Sequence, residues 1–313
     1  MNRSPLSKIL RSGSERAEMQ LVVRPRRSNW QIVALQCLLL VLFSSCKKIS
    51  PDPQVPSYIH IDSTTFSTDY TSQGSSSSRI TDAWIYIDQQ LIGSYELPVT
   101  FPVLLSGDHS IIVRAGIMVN GIAAIRSYYP FYSFHEQTIT LTPGKILSIA
   151  PSVTYLAGAG FAWKEDFEDP GFTIEKTAKS DSVLQIKKVS KDSSFEGNGA
   201  AFFYLGENDQ LIECKSTEHF KLPKNATPVY LEMNFKCSGP LVVGMFSNTA
   251  FQSFQEPLII LSPTDHWKKI YLNMTDMVAS HFDAIDQQIF FGAINNGAKQ
   301  EFYLDNVKLL YLK

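Results

Sequence analysis

The sequence predicts an all-β fold, two β-sandwich domains following an amino-terminal export segment. Three observations carry that expectation. Short apolar stretches alternate at period two and are separated by Gly, Pro, Asn and Asp turns along most of the chain. Aromatic residues are abundant, led by 20 Phe and 13 Tyr, and strands favour them. Only Asp276 to Ala284 carries a helical pattern, and it is short.

The chain begins with Met1 to Glu18, polar and basic without apolar periodicity, so this part builds no core. Met19 opens a stretch of ordinary signal length, and translation is expected to start there. Arg24, Arg26 and Arg27 precede the apolar run Trp30 to Phe43, which ends at Ser44, Ser45 and Cys46. A positive flank, an apolar middle and small residues before a cut form the order of a secretory signal. The run is shorter than the ~20 residues that cross a hydrocarbon core. Small residues leading into a cysteine resemble the lipobox of bacterial lipoproteins, although Phe43 stands where that family prefers Leu. The resemblance implies a signal peptide over residues 1–45, cleavage of the Ser45–Cys46 bond, and a palmitate-type lipid anchor on Cys46 that makes the membrane a partner. An uncleaved, tilted anchor is the alternative. Residues 46–57, with Pro51, Pro53 and Pro56, then form an extended tether. No acidic run follows Cys46, so the expected location is the outer membrane of a Gram-negative bacterium, on its periplasmic face.

The net charge is −2, and no basic stripe is present. A nucleic-acid partner is therefore not expected. Of four cysteines, Cys37 lies in the signal and Cys46 is the anchor, leaving Cys214 and Cys237. In an oxidising envelope these two form a candidate disulfide, the alternative being two buried thiols.

Residues 58–156 read as the first sandwich. Strands are expected at Tyr58–Ile61, Ala83–Ile87, Leu91–Glu96, Phe101–Leu105, His109–Arg114, Gln137–Leu141 and Lys145–Ile149. The Ser- and Thr-rich stretch ending at Gly74–Ser78 reads as a mobile loop. Turns fall at Asp88–Gln90 and Ser106–Asp108, where Asp side chains can bond nearby amides and Gly107 allows positive φ. The stretch Ala83 to Gly116, AWIYIDQQLIGSYELPVTFPVLLSGDHSIIVRAG, resembles the PEGA-type module, an immunoglobulin-like sandwich. The resemblance implies a small envelope-associated fold without catalysis, used as scaffold or interaction surface. Within it, Gly93 and Gly107 are expected where a Cβ would strain the backbone, and His109 is expected to pin its turn through a hydrogen bond. The cluster Tyr128-Tyr129-Pro130-Phe131-Tyr132 has no counterpart in that module. It reads as a loop packed over the sandwich edge, or as a binding surface.

Residues 157–162, beginning Ala157-Gly158-Ala159-Gly160, read as a flexible linker, and 163–313 as the second sandwich. Strands are expected at Leu184–Val189, Ala200–Leu205, Gln210–Cys214, Val229–Phe235, Leu241–Phe246, Leu258–Leu261, Trp267–Leu272, Ile289–Ala293 and Glu301–Tyr311. Trp267 is expected to point into the core, and Asn295-Asn296-Gly297 to close a hairpin. The opening DFED at Asp166–Asp169, the central WKKIYL at Trp267–Leu272 and the closing FYLDNVKL at Phe302–Leu309 resemble the jelly roll of galactose-binding-like carbohydrate-binding modules. That resemblance implies a candidate structural calcium shared by Glu168 and Asp305, an ion that takes six to eight oxygens. No other cofactor is expected. Phe251, Phe254, His281 and Phe282 lie in irregular stretches and are candidates for stacking on a ligand.

No G-x-S-x-G elbow, H-E-x-x-H or phosphate-cradling loop occurs, and the six histidines lack ligand spacing. A carboxylate pair using Glu165 is the one formal route to glycoside hydrolysis. The expected function is therefore non-enzymatic: a lipid-anchored binding or scaffold protein that contacts another envelope protein. The alternative is a glycan-binding lipoprotein using the second sandwich, and after it an accessory to glycan degradation.

Overall fold

The computed structural model describes residues 54–181, 186–295 and 297–313. The export segment, the Ser45–Cys46 bond and most of the tether lie outside the described residues, as do residues 182–185 and Asn296. The first half contains β1 (Ser57–Ile61), β2 (Thr65–Phe66), β3 (Asp82–Ile87), β4 (Gln90–Glu96), β5 (Val99–Val103), β6 (Gly107–Met118), β7 (Arg126–Tyr128), β8 (Phe134–Leu141), β9 (Ile146–Ile149) and β10 (Ser152–Val153). One sheet runs β4-β3-β6-β7, with β8 also paired to β6; it faces a smaller sheet ordered β5-β1-β9. Period-two alternation turns Ile59, Ile61, Ile85, Ile111, Val113 and Leu141 inward to a shared core.

The turns form as their residues require. Asp88 and Gln89 both take positive φ (49° and 67°), the backbone of a two-residue hairpin. Gly107 has φ 89°. At Gly93 the requirement is space, because a Cβ would lie 2.9 Å from the Tyr95 ring. His109 Nδ1 lies 2.6 Å from Asp88 Oδ2, and its Nε2 lies 3.2 Å from the Ser106 carbonyl, so the ring ties two turns together.

The second half contains β11 (Ala159–Glu165), β12 (Ile174–Lys176), β13 (Lys187–Ser190), β14 (Gly199–Leu205), β15 (Leu211–Ser216), β16 (Val229–Cys237), β17 (Leu241–Asn248), β18 (Ser253–Leu261), β19 (Thr264–Asn273), β20 (Asp286–Ile294) and β21 (Gln300–Leu312). An inner sheet, β13-β14-β21-β16-β19, also carries β11 on β21; an outer sheet runs β12-β15-β20-β17-β18. Between them lies the largest core, including Trp163, Phe203, Leu231, Met245, Phe291 and Leu304. The helical pattern resolves as one short helix, Thr275–Ser280.

Three expectations change. Ala159 and Gly160 are strand rather than joint: they pair with Leu312 and Tyr311, and a Cβ on Gly160 would lie 2.7 Å from the Tyr311 ring. The glycine answers close packing. Cys214, in the outer sheet, and Cys237, in the inner one, are free, buried thiols rather than a disulfide. Burial pushes the Cys214 thiol up, and that of Cys237 to about 11. Within the Ser-rich stretch, Ser75 is buried and its carbonyl accepts from Lys308 Nζ at 2.6 Å.

Val55 to Lys313 form a single compact unit. Its two sandwiches share a third core in which Tyr129, Phe131, Tyr132 and Tyr155 meet Tyr230, Tyr271 and Leu310. Most of the aromatic cluster is therefore an internal seam: Tyr129, Phe131 and Tyr132 are buried in it, and Tyr128 stays exposed at its edge with the Arg114 guanidinium over its ring. Polar groups finish the seam. Glu232 Oε1 accepts from Tyr129 Oη at 2.8 Å and Tyr155 Oη at 2.9 Å, and its other oxygen lies 2.9 Å from Lys269 Nζ.

Candidate functional site: a cleft on the outer sheet

The core takes every second residue of the outer sheet, which leaves the alternate set facing outward. On β15 these are Glu213 and Lys215; on β20, Asp286, Gln288, Phe290 and Gly292; on β17, Gly244, Phe246 and Asn248. Register aligns them in rows across the strands. Lys215, Phe290 and Gly244 form one row, and Gln288, Phe246 and Gln255 the next. A cleft of about 560 Å³ opens over this face, walled by Glu175 to Lys179 on one side and Ser253 on the other.

Glycine shapes the floor. A Cβ at Gly244 would lie 2.5 Å from the Phe290 ring, so Phe290 lies over the space that Gly244 leaves. Phe246 packs beside it, with ring centroids 5.1 Å apart. At Gly292, itself buried, such a Cβ would make ordinary contacts with Ile212 and Glu213, the nearest at 3.6 Å.

Around these rings the polar groups are already bonded to one another. Glu213 accepts from Thr177 Oγ1 at 2.9 Å and from Gln255, which in turn accepts from Lys179 Nζ. Lys215 lies 3.6 Å from Glu175 and donates to Gln288 Oε1 at 3.2 Å. Asn248 Nδ2 donates to Asp286 Oδ1 at 2.7 Å, the same oxygen that His219 Nδ1 approaches at 2.7 Å. Partial burial works against ionising Asp286, yet the Asn248 and His219 bonds hold it below the usual carboxylate range. Such a floor offers fixed donors and acceptors beside an apolar ring, the lining suited to a hydroxyl-rich ligand.

The sequence-predicted residues fall elsewhere. Trp267 does not enter the core. Ile270 and Leu272 take the inward positions of β19, so Trp267 lies on the opposite face, half-buried beside Tyr303 at 6.2 Å. Glu168 and Asp305 do approach a common loop, but each is occupied by its amides. Glu168 Oε1 accepts from Asn198 N at 2.7 Å and Gly199 N at 3.1 Å; Asp305 Oδ2 accepts from Phe195 N at 3.0 Å and Glu196 N at 3.3 Å. N–H donors thus stand where calcium needs oxygens, and among the described residues no group of three His, Cys, Asp or Glu could hold a metal ion. The pair does not fit the ion. Glu165 is likewise committed, accepting from Phe167 N at 2.8 Å and from Thr173 N at 2.6 Å, so it is a loop anchor. Phe254 stacks on His281 at 4.9 Å, and His281 Nε2 lies 2.8 Å from Glu256 Oε2. Phe251 and Phe282 are exposed, at 97% and 77%.

The floor residues Glu213, Lys215, Phe246 and Gln288 were not singled out from sequence. Their signal was present as polar residues at period two inside otherwise apolar strands, as in Leu211-Ile212-Glu213-Cys214-Lys215. Which strands lie side by side is what sequence does not state.

No protein-family model matches the chain, and no curated protein matches it. Solved structures that are similar include the CBM22-1 xylan-binding domain from Paenibacillus barcinonensis, 9% identical, covering 50% of this chain and 98% of that one at a TM-score of 0.38. A family 29 carbohydrate-binding module complexed with mannohexaose is 14% identical, covering 49% and 91% at 0.33. TmCBM61 in complex with β-1,4-galactotriose is 10% identical, covering 44% and 86% at 0.28.

Proposed function

We propose that this protein is a non-catalytic glycan-binding protein of the cell envelope, tethered through a lipid on Cys46, and that the cleft of the outer sheet is its binding site. The supporting observation is the floor itself: an amide-rich network bonded within itself, set around the half-buried Phe246 and backed by the sheet. Rings beside fixed donors and acceptors match a sugar, which carries apolar C–H faces edged by hydroxyls. The adaptor reading rests on the first sandwich, where the aromatic cluster offers little surface because Tyr129, Phe131 and Tyr132 are buried in the seam.

The test uses the full chain on an array of plant, microbial and host glycans. Retention is expected to fall about tenfold or more, about 1.4 kcal/mol, in Phe246→Ala and in Gln288→Ala. Silence of the wild type across the array would reject the reading. Anchoring is tested separately: Cys46→Ser is expected to release the protein from membranes and abolish palmitate labelling.

A further inference from the structure

Two loops meet at one end of the cleft. The turn between β17 and β18 spans residues 248–253 and closes through Thr249 N, which donates to the Gln252 carbonyl at 2.8 Å. Both strands that it joins line the cleft, through Asn248 and Ser253. The segment 281–286 grips this hairpin at both ends: Ile285 N donates to the Asn248 carbonyl at 2.6 Å, and His281 stacks on Phe254. From this doubly tied end project Phe251, Phe282 and Ile285, exposed at 97%, 77% and 55%. Phe251 is the most exposed large apolar residue among the described ones. Its backbone is fixed all the same, because its N–H donates to Thr249 Oγ1 at 3.3 Å. Open aromatic rings on a pinned turn do not serve a core. Their faces are free, and Phe251 lies on the turn whose two strands line the cleft at Asn248 and Ser253.

Resting on the glycan-binding reading, we propose that Phe251 and Phe282 form an extension subsite, a stacking platform for the sugars of a chain that overruns the cleft. The protein then selects for length: a chain confined to the floor meets Phe246 and its polar network, and a longer one also gains the two outer rings. Apolar stacking needs no charge on the ligand, so the length preference is insensitive to salt.

The experiment compares trisaccharides with hexasaccharides of β-1,4-linked xylose, mannose and glucose, titrated by calorimetry into the full chain and into Phe251→Ala/Phe282→Ala. Both side chains are exposed, so the variant is expected to melt with the wild type. The proposal expects the wild type to bind hexasaccharide at least about tenfold more tightly than trisaccharide. It expects the double variant to lose that preference while its trisaccharide affinity holds. An unchanged preference in the variant overturns the subsite and leaves the cleft reading standing. Absence of binding by the wild type to any of these sugars or to the glycan array overturns both. Unchanged sugar binding, together with loss of wild-type binding to phosphatidylglycerol vesicles, reassigns the tip to a lipid surface and overturns the proposal.

Discussion

His109 and Asp88 show how one pair of residues fixes a turn and sets a pH window. The Asp88 bond raises the His109 imidazole above its ordinary value, and the same bond, helped by Ser110 N, holds the Asp88 carboxyl below its own. A raised histidine contributes stability that is present below its unfolded value and lost as pH rises through the folded one; a depressed aspartate contributes stability lost as pH falls. The pair therefore acts between the two. Asp88→Asn is expected to move the His109 titration down toward about 6.5, read by NMR of the ring protons. Glu168 and Asp305 make a second residue-level case. Burial raises the Asp305 carboxyl to about 7 against the pull of its amide donors. Because amides rather than a cation hold the 195–199 loop, a chelator is expected to leave the melting temperature unchanged. A drop of several degrees restored by calcium would show that the ion belongs there.

Among the elements, β16 carries the seam. Its outward residues Tyr230 and Glu232 face the first sandwich, and the inward Leu231 and Met233 face the main core, so the strand is buried on both sides. Burial alone would raise the Glu232 carboxyl, yet Lys269 and Lys308 hold it below its ordinary value. Removing it strands the buried Lys269 amine, whose ion pair it is, while Lys308 keeps the Ser75 carbonyl. Glu232→Ala is expected to cost about 3–5 kcal/mol in urea unfolding, the cost typical of an uncompensated buried charge. Burial also lowers Lys308 to about 7. Between that value and its ordinary 10.5 the unfolded chain binds the proton and the folded one does not, so this group makes stability rise with pH across that interval.

For the whole molecule, the shared third core implies that the halves do not fold as separate beads. A 163–313 fragment would expose Tyr230, Tyr271 and Leu310 to water and leave Lys308 without Ser75 and Tyr155. That fragment is expected to aggregate or to lose its sharp thermal transition, whereas residues 55–313 melt cooperatively. A stable, monomeric fragment would mean that the seam contributes little. The prediction also bears on function, because a rigid seam fixes the cleft relative to the first sandwich.

The all-strand character, most strand centres and the hairpin at Asp88 were legible because alternation and turn chemistry are local properties. β11 and β12 were not, because Ala159–Glu165 opens with Gly and Ala in a pattern that also marks a joint, and Ile174–Lys176 is too short to show a period. Local pattern reports which residues alternate, but not which of the two faces is buried: Trp267 turned outward because Ile270 and Leu272 fix the register of β19. By itself the sequence determined the fold class, the turns and a chain without a catalytic motif. Only the tertiary structure decided that Cys214 and Cys237 stay apart, that an aromatic cluster becomes a seam, and that Glu213, Phe246 and Gln288 from three strands share one floor. Those outcomes depend on strand order, which is set by long-range burial and is written in no short stretch of residues.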